Sequence, residues 1–207
     1  MATRRTAAAS AEQPDLRQRI LDTARVLLDE QGAASLSLRE VARRAGVTHQ
    51  APYHHFPDRE SILAELVEQG FDELARRLAR AHATRGDLLA TLTASGSAYV
   101  GFALDHPGVF RTMFRADFCD PARFPQVQAA GDRAHAELQH LVRLTNAGQD
   151  DEGLATLHWA QVHGLASLLL DGPLGQHISS RRERTGFVRQ AMALHAAATL
   201  GLKPKPR

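Results

Sequence analysis

The chain has 207 residues, a length that suits one large domain or two small ones. Hydrophobic residues make up 43% of it but aromatic residues only 5%, so alanine and leucine must fill most of the core, which favours helices. The formal net charge of +2 neither requires nor excludes a nucleic-acid partner, so that question depends on a local surface.

The composition also disfavours disulfide-bonded or multi-cysteine metal proteins, and secreted or membrane-spanning proteins. The single cysteine, Cys119, excludes an intramolecular disulfide and any multi-cysteine metal site, and its own role is left open. No apolar run approaches the roughly 20 residues that span a bilayer, and the N-terminus lacks the apolar segment of a secretory signal. We therefore expect a cytoplasmic protein without a membrane partner.

The first predicted helix follows a polar, alanine-rich stretch, residues 1–13, that we expect to be a flexible tail. The helix runs from Pro14 to Gln31, since proline suits a first helical turn and Gly32 suits the position just past a helix end. Its apolar residues recur at spacings of three and four and make one helical stripe: Leu16, Ile20, Leu21, Ala24, Leu27 and Leu28.

Three helix starts follow within about twenty residues. Ser37 and Glu40 have the spacing of a capping box, in which each side chain bonds the other's free backbone N–H, and this helix ends at Ala45-Gly46. Thr48 offers a new N-cap hydroxyl, which places residues 48–55 on a third helix. Asp58 is then the expected N-cap of a long helix that ends near Ala83.

Longer and more apolar helices are predicted beyond residue 86, over 87–105, 107–116, 126–146, 152–171 and 183–201, followed by a flexible tail, 202–207. The pattern contains no repeat and no strand-like alternation. We therefore predict an all-α fold. A small three-helix domain occupies residues 14–60, and a larger helical bundle occupies residues 61–201.

Two short helices joined by a turn of three to four residues that contains glycine form a helix-turn-helix, whose second helix can enter the major groove of DNA. The stretch ILDTARVLLDEQGAASLSLREVARRAGVTHQAPYHHFPDRESILAEL, residues 20–66, also resembles the DNA-binding domain of the TetR family of transcriptional regulators. The positions that match that family's pattern are Ile20, Leu21, Ala24, Gly32, Ser37, Val41, Ala42, Ala45, Gly46, Val47, Thr48, Tyr53, His55, Phe56 and Leu63.

The resemblance implies roles for individual residues in binding DNA. Backbone phosphates are expected at the helix N-termini capped by Ser37 and Thr48, at the Tyr53 hydroxyl and at Arg59, which stands where the family usually has lysine. Base edges are expected at the variable positions, His49 and Gln50; glutamine can pair with adenine and histidine can donate to guanine. Arg39 and His54 complete the predicted DNA-binding set.

The third predicted helix contains a proline and three histidines, and both affect its interpretation. Pro52 has no backbone N–H and cannot donate the first bond of a helix capped by Thr48, so this helix is expected to start with a distortion. The three histidines of VTHQAPYHHF could instead indicate a metal site. At about 100° per residue, however, His49, His54 and His55 point in three directions, which argues against one shared ion.

A second, shorter resemblance lies at residues 157–170, LHWAQVHGLASLLL, which is similar to the Trp-x-x-x-His-Gly (WHG) group of TetR-type C-terminal domains. Trp159 and His163 lie four residues apart and share a helix face. Candidate residues for a mostly apolar ligand pocket are Phe102, Phe110, Met113, Phe114, Trp159 and His163, with plain core packing as the alternative for each. The family implies a homodimer built by helices of about 152–171 and 183–201.

The resulting expectation is a TetR-like regulator, a repressor rather than an activator because most of its relatives repress. It would bind a palindromic operator as a homodimer and be released by a small, mostly apolar effector of unknown identity. A regulator without a ligand is the first alternative. A helical-bundle metalloenzyme is the second, and it is disfavoured because metal-binding, nucleophile and phosphate-loop motifs are absent from the sequence. We expect no catalytic residue, no metal and no cofactor.

Overall fold

The computed structural model describes residues 16–83, 86–115, 117–118, 120, 122–146, 148–178 and 180–202. Across these ranges every regular element is helical, so the predicted all-α fold is confirmed. Cys119 and the N-terminal stretch 1–13 lie outside the described residues, as does all of the stretch 202–207 except Leu202.

The described residues contain nine α-helices: α1 Leu16–Gln31, α2 Leu38–Ala45, α3 Arg59–His82, α4 Leu88–Asp105, α5 Pro107–Met113, α6 Pro125–Thr145, α7 Glu152–Leu170, α8 Leu174–His177 and α9 Arg181–Thr199. Most predicted bounds are within two residues of these, but α5 ends three residues before the predicted residue 116. Two elements were not predicted, α8 and a 3-10 segment at Ala33–Ser35, because one turn is too short to produce a periodic pattern.

The third predicted helix is wrong in type and length. Residues 48–55 do not form an α-helix; Ala51–His54 form a single 3-10 turn. Pro52 is the physical reason, because it has no N–H to donate to the carbonyl of Thr48. The neighbouring hydrogen bonds span three residues instead of four: Ala51 N to Thr48 O at 3.1 Å and Tyr53 N to Gln50 O at 3.1 Å. The Pro52 ring is buried, so the proline also anchors the turn against the core.

The chain divides into two compact units, Met1–Ile62 and Leu63–Arg207, with the boundary inside α3. The predicted domain boundary after residue 60 stays a prediction. In the first unit the apolar stripe of α1 faces the core, which is closed by buried side chains of α2 and of the segment after it. The fully buried members are Ile20, Ala24, Leu28, Val41 and Ala42.

In the second unit α4 packs mainly against α7 and α9. Two glycines permit close approach between helices: a Cβ on Gly96 would overlap the sulfur of Met192, and a Cβ on Gly70 would lie 2.6 Å from a methyl group of Val109. Several helix starts are capped by side chains, including Asp87 for α4, while α9 begins with a complete capping box of Ser180 and Glu183.

Candidate functional site

Seven of the eight predicted DNA-binding side chains are exposed and lie within 18 consecutive residues of the first unit. We call this set the recognition surface: Ser37, Arg39, Thr48, His49, Gln50, Tyr53 and His54. Tyr53 leaves 51% of its surface exposed, a large fraction for an aromatic residue. Its ring and hydroxyl are therefore available to a partner rather than used in the core.

The start of α2 is a capped helix N-terminus, a position that favours anions. The Ser37 hydroxyl accepts a bond from the backbone N–H of Glu40 at 3.2 Å, as predicted for the N-cap. The predicted reciprocal bond, from the backbone N–H of Ser37 to the Glu40 side chain, is wrong. The carboxylate of Glu40 accepts instead from Nε and Nη2 of Arg43. This pairing offsets a negative charge that would oppose a phosphate at the same helix end.

The turn after α2 fixes the direction of the next segment. Gly46 has φ 68° and ψ 36°, in the left-handed region that favours glycine. Val47 N bonds Ala42 O at 3.0 Å and Gly46 N bonds Arg43 O at 3.3 Å, which together form a Schellman motif. From α1, Arg19 also donates to the carbonyl of Ala45, at 2.8 Å.

Thr48 is not the cap that the sequence predicted. The residue before the 3-10 turn is Gln50, and its side chain makes no capping bond. Thr48 instead receives a backbone bond from Ala51 and keeps an exposed side chain. Its hydroxyl therefore remains a candidate phosphate donor, although the expected helix N-terminus is not formed behind it.

The arginines of α2 differ in their partners. Arg43 pairs with Glu40, and Arg44 pairs with Glu30 of α1. In the described part of the chain, Arg39 is exposed and forms no ion pair with a carboxylate. Its charge is thus the one most available to a phosphate on this helix.

Arg59, the eighth predicted residue, is half-buried and occupied within its own unit. Its guanidinium donates to the carbonyl of Ala33, in the 3-10 segment between α1 and α2. Next to it, Asp58 caps α3 as predicted, accepting from the backbone N–H of Ser61 at 2.8 Å. The geometry shows Arg59 holding the start of α3 in place, so its predicted grip on phosphate would have to compete with this bond.

The second unit contains a cavity of about 450 Å³, within the range of small-molecule sites. Side chains of α3, α4, α5, α6, α7 and α9 line it, and most of them are apolar. The apolar lining residues include Phe71, Leu74, Leu78, Leu92, Met113, Phe114, Val127, Leu138, Leu141, Trp159 and Val162.

The structure brings three of the six predicted pocket residues together on this cavity, Met113, Phe114 and Trp159. Phe110 and His163 line a smaller pocket of about 280 Å³ nearby, which Phe114 also borders. Phe102 is fully buried in the core and lines neither pocket. The assignment of all six to one ligand site stays a prediction.

Trp159 and His163 share a helix face, and both bind one tyrosine that the sequence did not single out. The indole N–H of Trp159 donates to the Tyr99 hydroxyl oxygen at 3.1 Å, and Nδ1 of His163 lies 3.0 Å from the same oxygen. Burial raises the pKa of Tyr99 and lowers that of His163, which favours the neutral form of both groups.

Other polar groups at the cavity were not assigned to it from the sequence. His82 of α3 bonds Glu137 of α6 and Ser95 of α4. His158 and His195 face each other with ring nitrogens 3.4 Å apart, and burial lowers the pKa of both. No sequence signal could find these groups, because their spacing along the chain follows no motif.

Two absences concern the described residues alone. No group of three or more histidine, cysteine, aspartate or glutamate side chains there is arranged to hold a metal ion. Similarly, none of the helices in those residues has the length and apolar character needed to cross a bilayer.

Two family models match the chain. The model for bacterial regulatory proteins of the tetR family covers residues 20–66, and the model for the tetracyclin repressor-like C-terminal domain covers residues 92–195. The WHG subgroup stays a prediction. A curated relative, the HTH-type transcriptional regulator AcrR of Shigella flexneri, is 46% identical over 57 residues. The alignment covers 28% of this chain and only 26% of that relative.

Solved structures match over nearly the whole chain. A protein of unknown function from Rhodococcus sp. RHA1 is 29% identical with a TM-score of 0.76, covering 95% of this chain and all of that one. The TetR-like regulator LfrR from Mycobacterium smegmatis, solved in complex with proflavine, is 17% identical with a TM-score of 0.60. That match covers 86% of this chain and 93% of LfrR, and it shows a common fold.

Proposed function

We propose that this chain, which belongs to the TetR family of transcriptional regulators, represses transcription by binding a palindromic operator as a homodimer and releases it when a small ligand enters the cavity. The family consists of regulators and not enzymes, so the chain is a transcription regulator without catalytic activity. To reach its operator it would act in the cytoplasm.

The exposure of the recognition surface is the main observation that supports DNA binding. Seven polar or basic side chains are exposed in one cap, turn and 3-10 segment, with a helix N-terminus and an available arginine beside the variable positions. Phosphate contacts from Ser37, Arg39, Thr48 and Tyr53 would fix the register, and base edges would be read by neighbouring side chains. Of these, Gln50 is the best candidate because its amide can pair bidentately with adenine.

Exposed apolar side chains on α7 and α9 support a homodimer. Leu157 and Leu168 are 64% and 46% exposed and share a face of α7, while Phe187 and Leu194 are 37% and 51% exposed on α9. Gly164 lies on the same α7 stripe, and a Cβ there would meet nothing within 4 Å in a single chain. Such a stripe is costly in water and would be covered by the same two helices of a second subunit.

The cavity supports control by a small, mostly apolar ligand. It is large enough for a drug-sized molecule, and six helices converge on it. LfrR was solved in complex with proflavine, so a small molecule binds a protein of this fold. A ligand would relieve repression only if it binds the DNA-free state more tightly than the DNA-bound state.

The alternative is a regulator whose bundle only dimerises. A tightly filled second unit would have favoured it, whereas a 450 Å³ cavity favours a ligand. The two proposals share the DNA-binding half and separate on whether any small molecule changes operator affinity.

Selection from a pool of randomised duplexes, followed by gel-shift titration in increasing salt, tests the DNA-binding half. We expect a palindromic site and an affinity that falls steeply with salt, since neutralised phosphates release counterions. Recovery of no common palindrome, or a salt slope near zero, would contradict the proposal.

A further inference from the structure

A chain of three polar side chains, here called the relay, reaches the cavity from three helices; two of them are buried, and the third, Glu137, is 27% exposed. Nδ1 of His82 lies 3.0 Å from a carboxylate oxygen of Glu137, and Nε2 of His82 lies 3.1 Å from the Ser95 hydroxyl. The His82 side chain is 3% exposed and Ser95 is 4% exposed, while Glu137 and Ser95 line the cavity. The relay thus holds one carboxylate at the wall of a mostly apolar space.

The hydrogen bonds fix where the protons lie. An ionised carboxylate only accepts, so Nδ1 of His82 donates to Glu137, and in the neutral ring Nε2 accepts the proton of the Ser95 hydroxyl. Burial lowers the pKa of His82 against the opposing effect of Glu137, and the nearby imidazole of His140 lowers it further. A neutral His82 orients Glu137 but leaves its negative charge in place.

The charges around the cavity do not balance this carboxylate. Within the described part of the chain, no arginine or lysine pairs with Glu137. Arg115, the one lining arginine, is held by Asp117 at 2.7 Å. Asp132, the other lining carboxylate, lies at the exposed rim and accepts from Gln128. Glu137 is partly exposed beside apolar walls and accepts from a neutral imidazole rather than a cation, which favours a ligand that supplies the opposite charge.

Aromatic side chains adjoin the relay. Tyr99 follows Ser95 by one turn of α4, about 6 Å along the helix axis. It is bound by Trp159, whose ring lies 5.7 Å from that of Phe114. Phe114 in turn makes an edge contact with Phe71, at 5.6 Å between centroids. All four rings line the cavity, and aromatic faces attract both flat apolar groups and cations.

The order serine, histidine, glutamate also occurs in hydrolases, but the backbone argues against that use here. Ser95 lies in the middle of α4, where the neighbouring backbone N–H groups are bonded within the helix. A tetrahedral intermediate would need free donors beside the serine. The relay therefore fits recognition rather than catalysis.

We propose that Glu137, oriented by His82 and Ser95, is the anchor for a cationic group carried about one helix turn from the aromatic body of the ligand. This inference rests on the proposed function, because it names the chemical class of the molecule that the cavity takes. A protonated amine on a short arm from a fused aromatic ring has the required shape and charge.

Three probes with the same ring test the anchor on the intact protein at pH 7.5: the cation 1-naphthylmethylammonium, the neutral 1-naphthylmethanol and the anion 1-naphthoate. Isothermal titration calorimetry should give the cation roughly tenfold or greater preference over the neutral probe, and the anion the weakest binding. This comparison needs no variant, so it does not depend on a mutant that folds.

Two matched variants then locate the charge. Glu137→Gln keeps the size of the side chain and should reduce the cation to the affinity of the neutral probe. Asp132→Asn removes the other lining carboxylate and should keep the preference. A preference that survives in Glu137→Gln, or that disappears in Asp132→Asn, would overturn the assignment of the anchor.

The remaining outcomes separate this inference from the proposed function. Equal affinities for the three probes would overturn the cationic anchor and leave a ligand cavity in place. Binding of none of them would overturn the anchor together with the ligand half of the proposed function. In either case a selected palindromic operator would still support DNA binding.

Discussion

The recognition surface and the cavity are built in opposite ways. The recognition surface takes its seven side chains from 18 consecutive residues, and local bonds set their positions: the Ser37 cap, the left-handed Gly46 turn and the proline-shortened 3-10 segment. The cavity collects side chains from six helices and from residues as far apart as Phe71 and His195. A site of the first kind can be predicted from a short motif, whereas the second requires knowledge of how helices pack.

The largest expected effect comes from the exposed apolar stripe, because the recognition surface needs a second subunit to contact both half-sites of a palindromic operator. Leu157→Arg combined with Leu194→Arg should give monomers in sedimentation velocity. Operator affinity should fall by roughly 10²-fold or more, since two linked half-site contacts become one. Arg substitutions at two exposed polar positions away from the stripe, Gln126 on α6 and Thr185 on the opposite face of α9, are the control for added charge. A double leucine variant that stays dimeric would contradict the assigned interface.

Within the recognition surface, substitutions of base-reading residues and of phosphate-binding residues should have different effects on DNA binding. Gln50→Ala should lose about 1–3 kcal/mol of discrimination at one base pair in each half-site, because a bidentate pair is removed. Arg39→Ala should weaken all duplexes alike and reduce the salt slope by about one per subunit. Fluorescence anisotropy on the selected operator and its single-base variants measures both. Identical behaviour of the two variants would show that this division of roles is wrong.

The turn of the recognition surface depends on one glycine. Gly46→Val forces a β-branched residue into φ 68° and should reduce the free energy of unfolding by about 1–2 kcal/mol. Gly101→Ala is a matched control, since a Cβ on that glycine of α4 would meet nothing within 4 Å and alanine should gain up to about 1 kcal/mol. Urea unfolding measures the two changes. A fully stable Gly46→Val variant would mean that the left-handed turn is not required.

The smallest effect concerns the cavity and its buried histidines. Burial lowers the pKa of His82, His158, His163 and His195, so the unfolded chain, whose histidines titrate near 6.5, binds more protons than the folded one. Stability should therefore be complete above about pH 7 and decrease as the pH falls through about 6.5 towards the lowered values.

Thermal unfolding between pH 5.5 and 8 measures this dependence. His158→Phe keeps a planar ring without titratable nitrogens, so the unfolding temperature should depend less steeply on pH. His49→Phe changes an exposed ring and should leave that dependence unchanged. His158 is well suited to the comparison because its Nε2 is buried and finds no partner among the described residues. An unfolding temperature that is flat with pH would argue against the neutral, buried state of these rings.

Particular residues show how far the sequence leads. The Ser37 cap, Gly46, Asp58 and the six-residue stripe of α1 were predicted because each depends on bonds or spacings within a few residues. Pro52 was noticed as a difficulty, yet its burial and the resulting 3-10 turn depend on tertiary packing. Tyr99, His82 and Glu137 were not found, since no local pattern connects α3, α4, α6 and α7.

Arg59 shows the same limit within the motif itself. Its position predicted a phosphate contact, but the guanidinium reaches the carbonyl of Ala33 instead, through a contact 26 residues away in sequence. Family position thus indicates which residues are placed near DNA. It does not reveal which of them have already been used to hold the domain together.

The central claim is that a molecule in the cavity and the operator at the recognition surface affect each other's binding. Isothermal titration of the tightest-binding naphthalene probe, with and without saturating selected operator, tests this claim most directly. We expect the probe to bind the operator complex more weakly than the free protein, by the same factor by which the probe weakens operator binding. Identical probe affinity with and without DNA would contradict the account and favour a regulator whose DNA binding no ligand controls.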